Sequence, residues 1–129
     1  MNYLSAIDQA TTEIGTTDVG GDDTAAQAAL SLATHAWEHL AGRDPAWDLF
    51  AVGVLTAADL LFPVRAPVIL TVDVPAADTA QLRLRLAGLV TAVADRYKAA
   101  VADTTHPSVR RLQYAAAAAQ LRAAAGQLT

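Results

Sequence analysis

Cysteine is absent from this chain, which removes disulfides, zinc–thiolate centres and cysteine nucleophiles from consideration. Lysine is nearly absent too: one Lys stands beside eight Arg. Aromatic residues are few, with two Trp, three Tyr and two Phe. Positive charge is in deficit overall, with a net charge of −4 and a pI of about 5.1. That balance argues against a general nucleic-acid binder. No basic start leads into an unbroken apolar run, so a secretory leader is not expected. The longest apolar stretch, Leu49 to Ala58, is interrupted by Thr56 and ends at Asp59. It falls short of the roughly 20 residues a membrane span needs. A cytoplasmic protein with no membrane partner is the expectation.

What the chain has in excess is alanine, 31 of 129 residues. The length predicts a single domain, residues 1–129, large enough to bury its own core without a metal or cross-link. A core so rich in alanine calls for close helix contacts rather than bulky layers. The Ala-rich, Arg-over-Lys composition suits a GC-rich bacterial genome.

Periodicity predicts five helices. The first covers Asn2 to Ile14, with Leu4, Ile7, Thr11 and Ile14 on one face and Gly15 as its stop. The second starts at Asp22 to Thr24 and runs to Ala41, with Gly42 beyond it. Its core face is Ala26, Leu30, Ala33, Trp37 and Leu40. The third begins at Asp44-Pro45, an acidic cap followed by proline, and ends before Pro63. It is apolar almost all round, so a central position is expected. The fourth covers Ala76 to Asp103, on a stripe from Leu82 to Val101. The fifth starts at Thr105-His106-Pro107 and ends near Gly126, with Val109, Leu112, Ala116, Ala119 and Ala123 as its inner face.

Between the third and fourth helices, Val64 to Pro75 is bounded by prolines and rich in β-branched residues. It reads as a strand, yet no second strand exists to pair with it. An extended connector is therefore preferred, with pairing to a second subunit as the alternative. The fold class is all-α: an antiparallel helical bundle of four to five helices, short links, and one extended Pro-bounded connector, Val64–Pro75.

Charge is segregated. Residues 1–42 carry six acids and no Lys or Arg. Residues 83–129 carry seven bases against Asp95 and Asp103. Such asymmetry is read first as internal complementarity within one bundle, with alignment of two subunits or steering of an acidic partner as the alternatives.

Chemical motifs are scarce. His35-Ala36-Trp37-Glu38-His39 matches H-x-x-E-H and resembles the zinc signature of inverzincin metallopeptidases. That resemblance implies His35 and His39 as metal ligands. It covers five residues only, and no Glu follows Glu38 to complete such a site. Helical phase places both histidines away from the apolar stripe, toward solvent. Asp48 and Asp59 share a face of the third helix but lie about 16 Å apart, too far to couple as an acid–base pair. Glu-x-x-His pairs, a phosphate-cradling G-x-x-x-x-G-K loop and a G-x-S-x-G elbow are all absent.

The expectation is a small non-enzymatic helical bundle that acts through protein–protein interaction and self-associates, with itself or another helical protein as partner and no cofactor. Interface candidates are Val68, Leu70, Val72 and Val74 on the connector, with Leu32 and Leu84 on helix faces. The alternative is a ligand-binding bundle whose apolar inter-helix pocket is lined by Trp47, Phe50, Tyr97 and Tyr114, with Arg96 as an anion anchor. A His-dependent metal protein using His35 and His39 is the third reading.

Overall fold

The computed structural model describes residues 2–16, 19, 23–65, 68, 70–73, 75 and 77–129. Five helices make up the fold: α1 (Tyr3–Thr16), α2 (Thr24–Leu40), α3 (Pro45–Leu61), α4 (Ala80–Val101) and α5 (Ser108–Leu128). There is no strand among the described residues.

Local chemistry explains the boundaries. Asp44 accepts a hydrogen bond from the Ala46 N–H at 2.9 Å, and Pro45 opens α3. Gly42, just beyond α2, adopts φ +86°, a conformation that a side chain would strain. Two of the boundaries that depart from expectation have a visible cause. Gly15 does not stop α1, which continues to Thr16. Arg96 donates to the Ile14 carbonyl at 2.9 Å, so an end of α1 is satisfied from outside and needs no glycine turn. The fourth helix starts at Ala80 rather than Ala76. Thr79 is extended and caps it through the Leu82 N–H at 3.1 Å, while Asp78 is drawn outward by Trp47 and Arg83.

The helices close into a ring in the order α1–α2–α3–α5–α4, with α2 also touching α4. Most neighbours are antiparallel. Trp37 of α2 bonds Asp48 of α3 at 2.9 Å, across the α2–α3 turn. Arg110, at the start of α5, donates to the carbonyls of Leu60 and Leu61 at the end of α3. The α1–α4 pair is parallel instead: Asp8 meets Arg85 at 3.0 Å, and Ile14 meets Arg96 further along both helices.

A parallel relation also holds between α3 and α4, since Trp47 lies beside Arg83 and Phe62 beside Tyr97. The link between them must therefore travel back along a helix of about 25 Å. The extended connector expected at Val64–Pro75 falls in this link, and eighteen residues separate α3 from α4. Val68 and Leu70 lie opposite Ser31, Thr34 and His35 of α2. Asp73, Pro75 and Ala77 then pass the start of α1. Both ends are pinned. Arg65 bonds the Phe62 carbonyl at 2.8 Å and pairs with Asp59 at 3.0 Å. Asp78 accepts from Trp47 Nε1 at 3.1 Å and from Arg83 Nε at 2.8 Å.

The core is centred on aromatic rings embedded in alanine and leucine. Trp47, Phe50 and Tyr97 are fully buried, Tyr114 nearly so, and Tyr97 and Tyr114 have ring centres 5.3 Å apart. Gly53 lets α3 and α5 approach closely, because a Cβ there would stand 2.8 Å from the Cβ of Ala124.

Candidate functional site

The largest departure from the sequence reading is on α5. Its buried face is Tyr114, Ala117, Ala118, Leu121, Ala124, Ala125 and Leu128. The stripe expected to face inward, Val109, Leu112, Ala116, Ala119 and Ala123, faces out. Val109 is 70% exposed and Leu112 72%. The helix is apolar on two sides, and Tyr114 and Leu121 offer the larger groups to the core. Likewise α3 is not central: Leu49, Val52 and Leu55 stand on its outer side, with Val52 61% exposed.

These two outer sides form one surface. Around α3, the core side carries Trp47, Val54 and Leu61, the α5 side carries Gly53, and the outer side carries Leu49 and Val52. Around α5 the same order places Leu112, Ala116 and Ala123 outward, beside α3. Among the described residues, five of the eight exposed large hydrophobic side chains belong to α3 and α5. The outer row of α5, from Val109 to Ala123, holds no charged residue. A surface helix of a monomer ordinarily turns a polar side to water.

The connector candidates are arranged differently. Leu70 and Val72 are half-buried and pack against the chain's own core, and Val68 is at its edge. Val74 lies outside the described residues. Leu32, expected on an outer face, is only 4% exposed, because α1 lies over it and Tyr3 donates its hydroxyl to the Leu32 carbonyl. Burial pushes the Tyr3 phenol well above its ordinary pKa. Leu84 is 67% exposed on α4.

The residues expected to line an apolar pocket are packed into the core. Trp47, Phe50, Tyr97 and Tyr114 touch one another or neighbouring rings, and the Tyr97 hydroxyl bonds Asp23 at 2.8 Å. Burial, with the Asp23 charge beside it, holds the Tyr97 phenol protonated far above its usual range. Arg96 serves the end of α1. Surface grooves occur elsewhere. One of about 300 Å³ runs between α2, α3 and the connector, walled by Gln27, Ser31, Thr34, Leu55, Arg65 and Val68. Another of about 490 Å³ lies between α4 and α5, floored by Ala115, Ala118 and Ala119 and rimmed by Lys98, Arg111 and Arg122.

His35 is not fully solvated, as its helical phase implied. It is half-buried beside Tyr3, ring centres 6.2 Å apart, and its Nε2 has no hydrogen-bond partner among the described residues. His39 is exposed, with its ring 4.8 Å from that of His35. Among the described residues, no group of three or more His, Cys, Asp or Glu converges to hold a metal ion. Nor is any helix among them long and apolar enough to cross a membrane.

The chain matches no protein-family model, and no curated protein or solved structure is similar to it. The α3–α5 outer face, which no motif marks, is the surface that sequence periodicity located and assigned to the wrong side.

Proposed function

We propose that this protein works by association, and that its partner is a second copy of the chain docked on the outer face of α3 and α5. The observation that carries this reading is the uncharged row Val109, Leu112, Ala116, Ala119 and Ala123, continued on α3 by Leu49 and Val52. Removing such a surface from water is favourable at about 25 cal/mol per Å² of apolar area.

The dimensions suit a dimer. Helices of 17 and 21 residues lie side by side. At 1.5 Å per residue and about 10 Å diameter, they offer a footprint of about 500–600 Å². The relief of the side chains raises this toward the ~800 Å² per partner of a standard interface. Two such helix pairs face to face make a four-helix layer, with alanines where the helices cross.

Native mass spectrometry and sedimentation test this. The expected result is a dimer at tens of micromolar, turned into a monomer by Leu112→Glu with helicity retained. A monomeric wild type sinks the reading, as does a Leu112→Glu variant that still dimerises.

A further inference from the structure

Two rows of opposite charge border the α3–α5 face. On α3, Asp48 and Asp59 stand eleven residues apart, toward α2. On α5, Arg111 and Arg122 also stand eleven residues apart, toward α4. Eleven residues are three helical turns, about 16 Å, so both rows have one repeat. There is no Lys or Arg in α3 and no Asp or Glu in α5.

The rows also match in level. The helices are antiparallel, with Leu60 and Leu61 reached by Arg110, and Gly53 against Gln120 and Ala124. By that register Asp59 lies within about one turn of Arg111, and Asp48 within about one turn of Arg122. These groups keep bonding capacity. Asp48 and Asp59 each use Oδ1, toward Trp37 and Arg65, Arg111 uses Nε toward the Val101 carbonyl, and Arg122 uses one terminal nitrogen toward Asp95. Among the described residues, the other carboxylate oxygens and the terminal nitrogens of Arg111 make no hydrogen bond.

Symmetry leaves two ways to pair the faces. An isologous contact places its two-fold axis in the plane of the interface. If the axis runs across the helices, α3 covers the partner's α3, Asp48 opposes Asp59, and Arg111 opposes Arg122. Like charges then meet at both margins, which disfavours that arrangement. If the axis runs along the helices, α3 covers the partner's α5 in the antiparallel sense. The acidic row of each copy then lies along the basic row of the other.

The geometry points to a dimer whose two-fold axis runs along the helices, with α3 of each copy seated on α5 of the other and Asp48 and Asp59 facing Arg122 and Arg111. This inference rests on the association reading above, and adds which helix meets which. The apolar rows supply the affinity. The charged margins select the register, since exposed pairs contribute little affinity but oppose wrong pairings.

The absence of cysteine makes the test clean. Val52 is exposed near the middle of α3, and Ala123 is exposed on α5 at about the same level. Single variants Val52→Cys and Ala123→Cys are oxidised alone and as an equimolar mixture. The expected result is a cross-linked dimer from the mixture and none from either variant alone. Cross-linking of Val52→Cys by itself places α3 on α3 and overturns the orientation, leaving association intact. A dimer with neither cross-link also overturns it. A wild-type monomer by sedimentation removes the association reading and the orientation together. As a second arm, Asp48→Lys with Asp59→Lys is expected to weaken the dimer roughly tenfold at low salt, with the difference shrinking as salt rises. Unchanged association of that double variant contradicts the role given to the charged margins.

Discussion

Gly53 shows how one missing methyl group sets a helix contact. It is buried in the middle of α3, where glycine is otherwise unfavourable in a helix by roughly 0.5–1 kcal/mol relative to alanine. An added Cβ would meet the Ala124 Cβ at 2.8 Å and the Gln120 carbonyl oxygen at 3.0 Å. Those neighbours are a methyl carbon fixed to its backbone and the backbone itself, so neither can swing aside. Gly88 is the counterexample on α4: it is exposed, and nothing stands within 4 Å of an added Cβ. Opposite outcomes are expected from the same substitution. Gly53→Ala should destabilise by about 1–3 kcal/mol through overpacking. Gly88→Ala should stabilise by about 0.4–1 kcal/mol, chiefly by restricting the unfolded chain. Urea denaturation of both variants checks the pair, and equal effects would contradict the close α3–α5 contact.

At the scale of elements, the long return from α3 to α4 is held by a small polar latch. Asp78 takes hydrogen bonds from Arg83 and Trp47, and Arg83 also pairs with Asp44 at 2.9 Å. Arg83, then Trp47, holds the Asp78 carboxyl below the usual aspartate range. The Ala46 N–H, then Arg83, does the same for Asp44. A carboxyl with a lowered folded pKa stabilises fully above its unfolded value of about 3.9. That contribution is lost as pH falls through the lower folded value. Melting temperature should therefore drop as pH falls below about 4, and Asp78→Asn should make the drop shallower while lowering the neutral-pH value. An unchanged acid profile in Asp78→Asn would remove the latch from the acid response. The same elements show what was legible in the sequence. Asp44-Pro45, Gly42 and the apolar repeats located all five helices, because caps and periodicity are local chemistry. The return over α2 was not legible: Val64 to Pro75 gives local β propensity, whereas its path follows from the parallel directions of α3 and α4. The outward face of α5 was missed for another reason. Val109, Leu112 and Ala116 repeat as well as Tyr114, Ala117 and Leu121 do, and periodicity finds a stripe without saying what covers it. Leu32 was misplaced because its cover, α1, comes from elsewhere in the chain.

For the whole molecule, the ring of five helices buries one apolar face of α3 and α5 and leaves the other to water. A monomer gains nothing from the second face, and association through it, as proposed, would couple dimerisation to folding. Thermal stability then depends on protein concentration. Unfolding of globular chains releases about 2.1 cal/mol/K per residue, which for two chains of this length is about 0.5 kcal/mol/K. Each tenfold rise in concentration favours the dimer by about 1.4 kcal/mol. Together these terms raise the melting temperature by about 2–3 °C per tenfold. The wild type should show that slope in differential scanning calorimetry between micromolar and millimolar protein. Leu112→Glu should show none, with a melting temperature near that of the dilute wild type, since Leu112 contributes little to the core of its own chain. A flat wild-type profile would mean that the α3–α5 face stays wet, and that the uncharged row on α5 does not pair with its own kind.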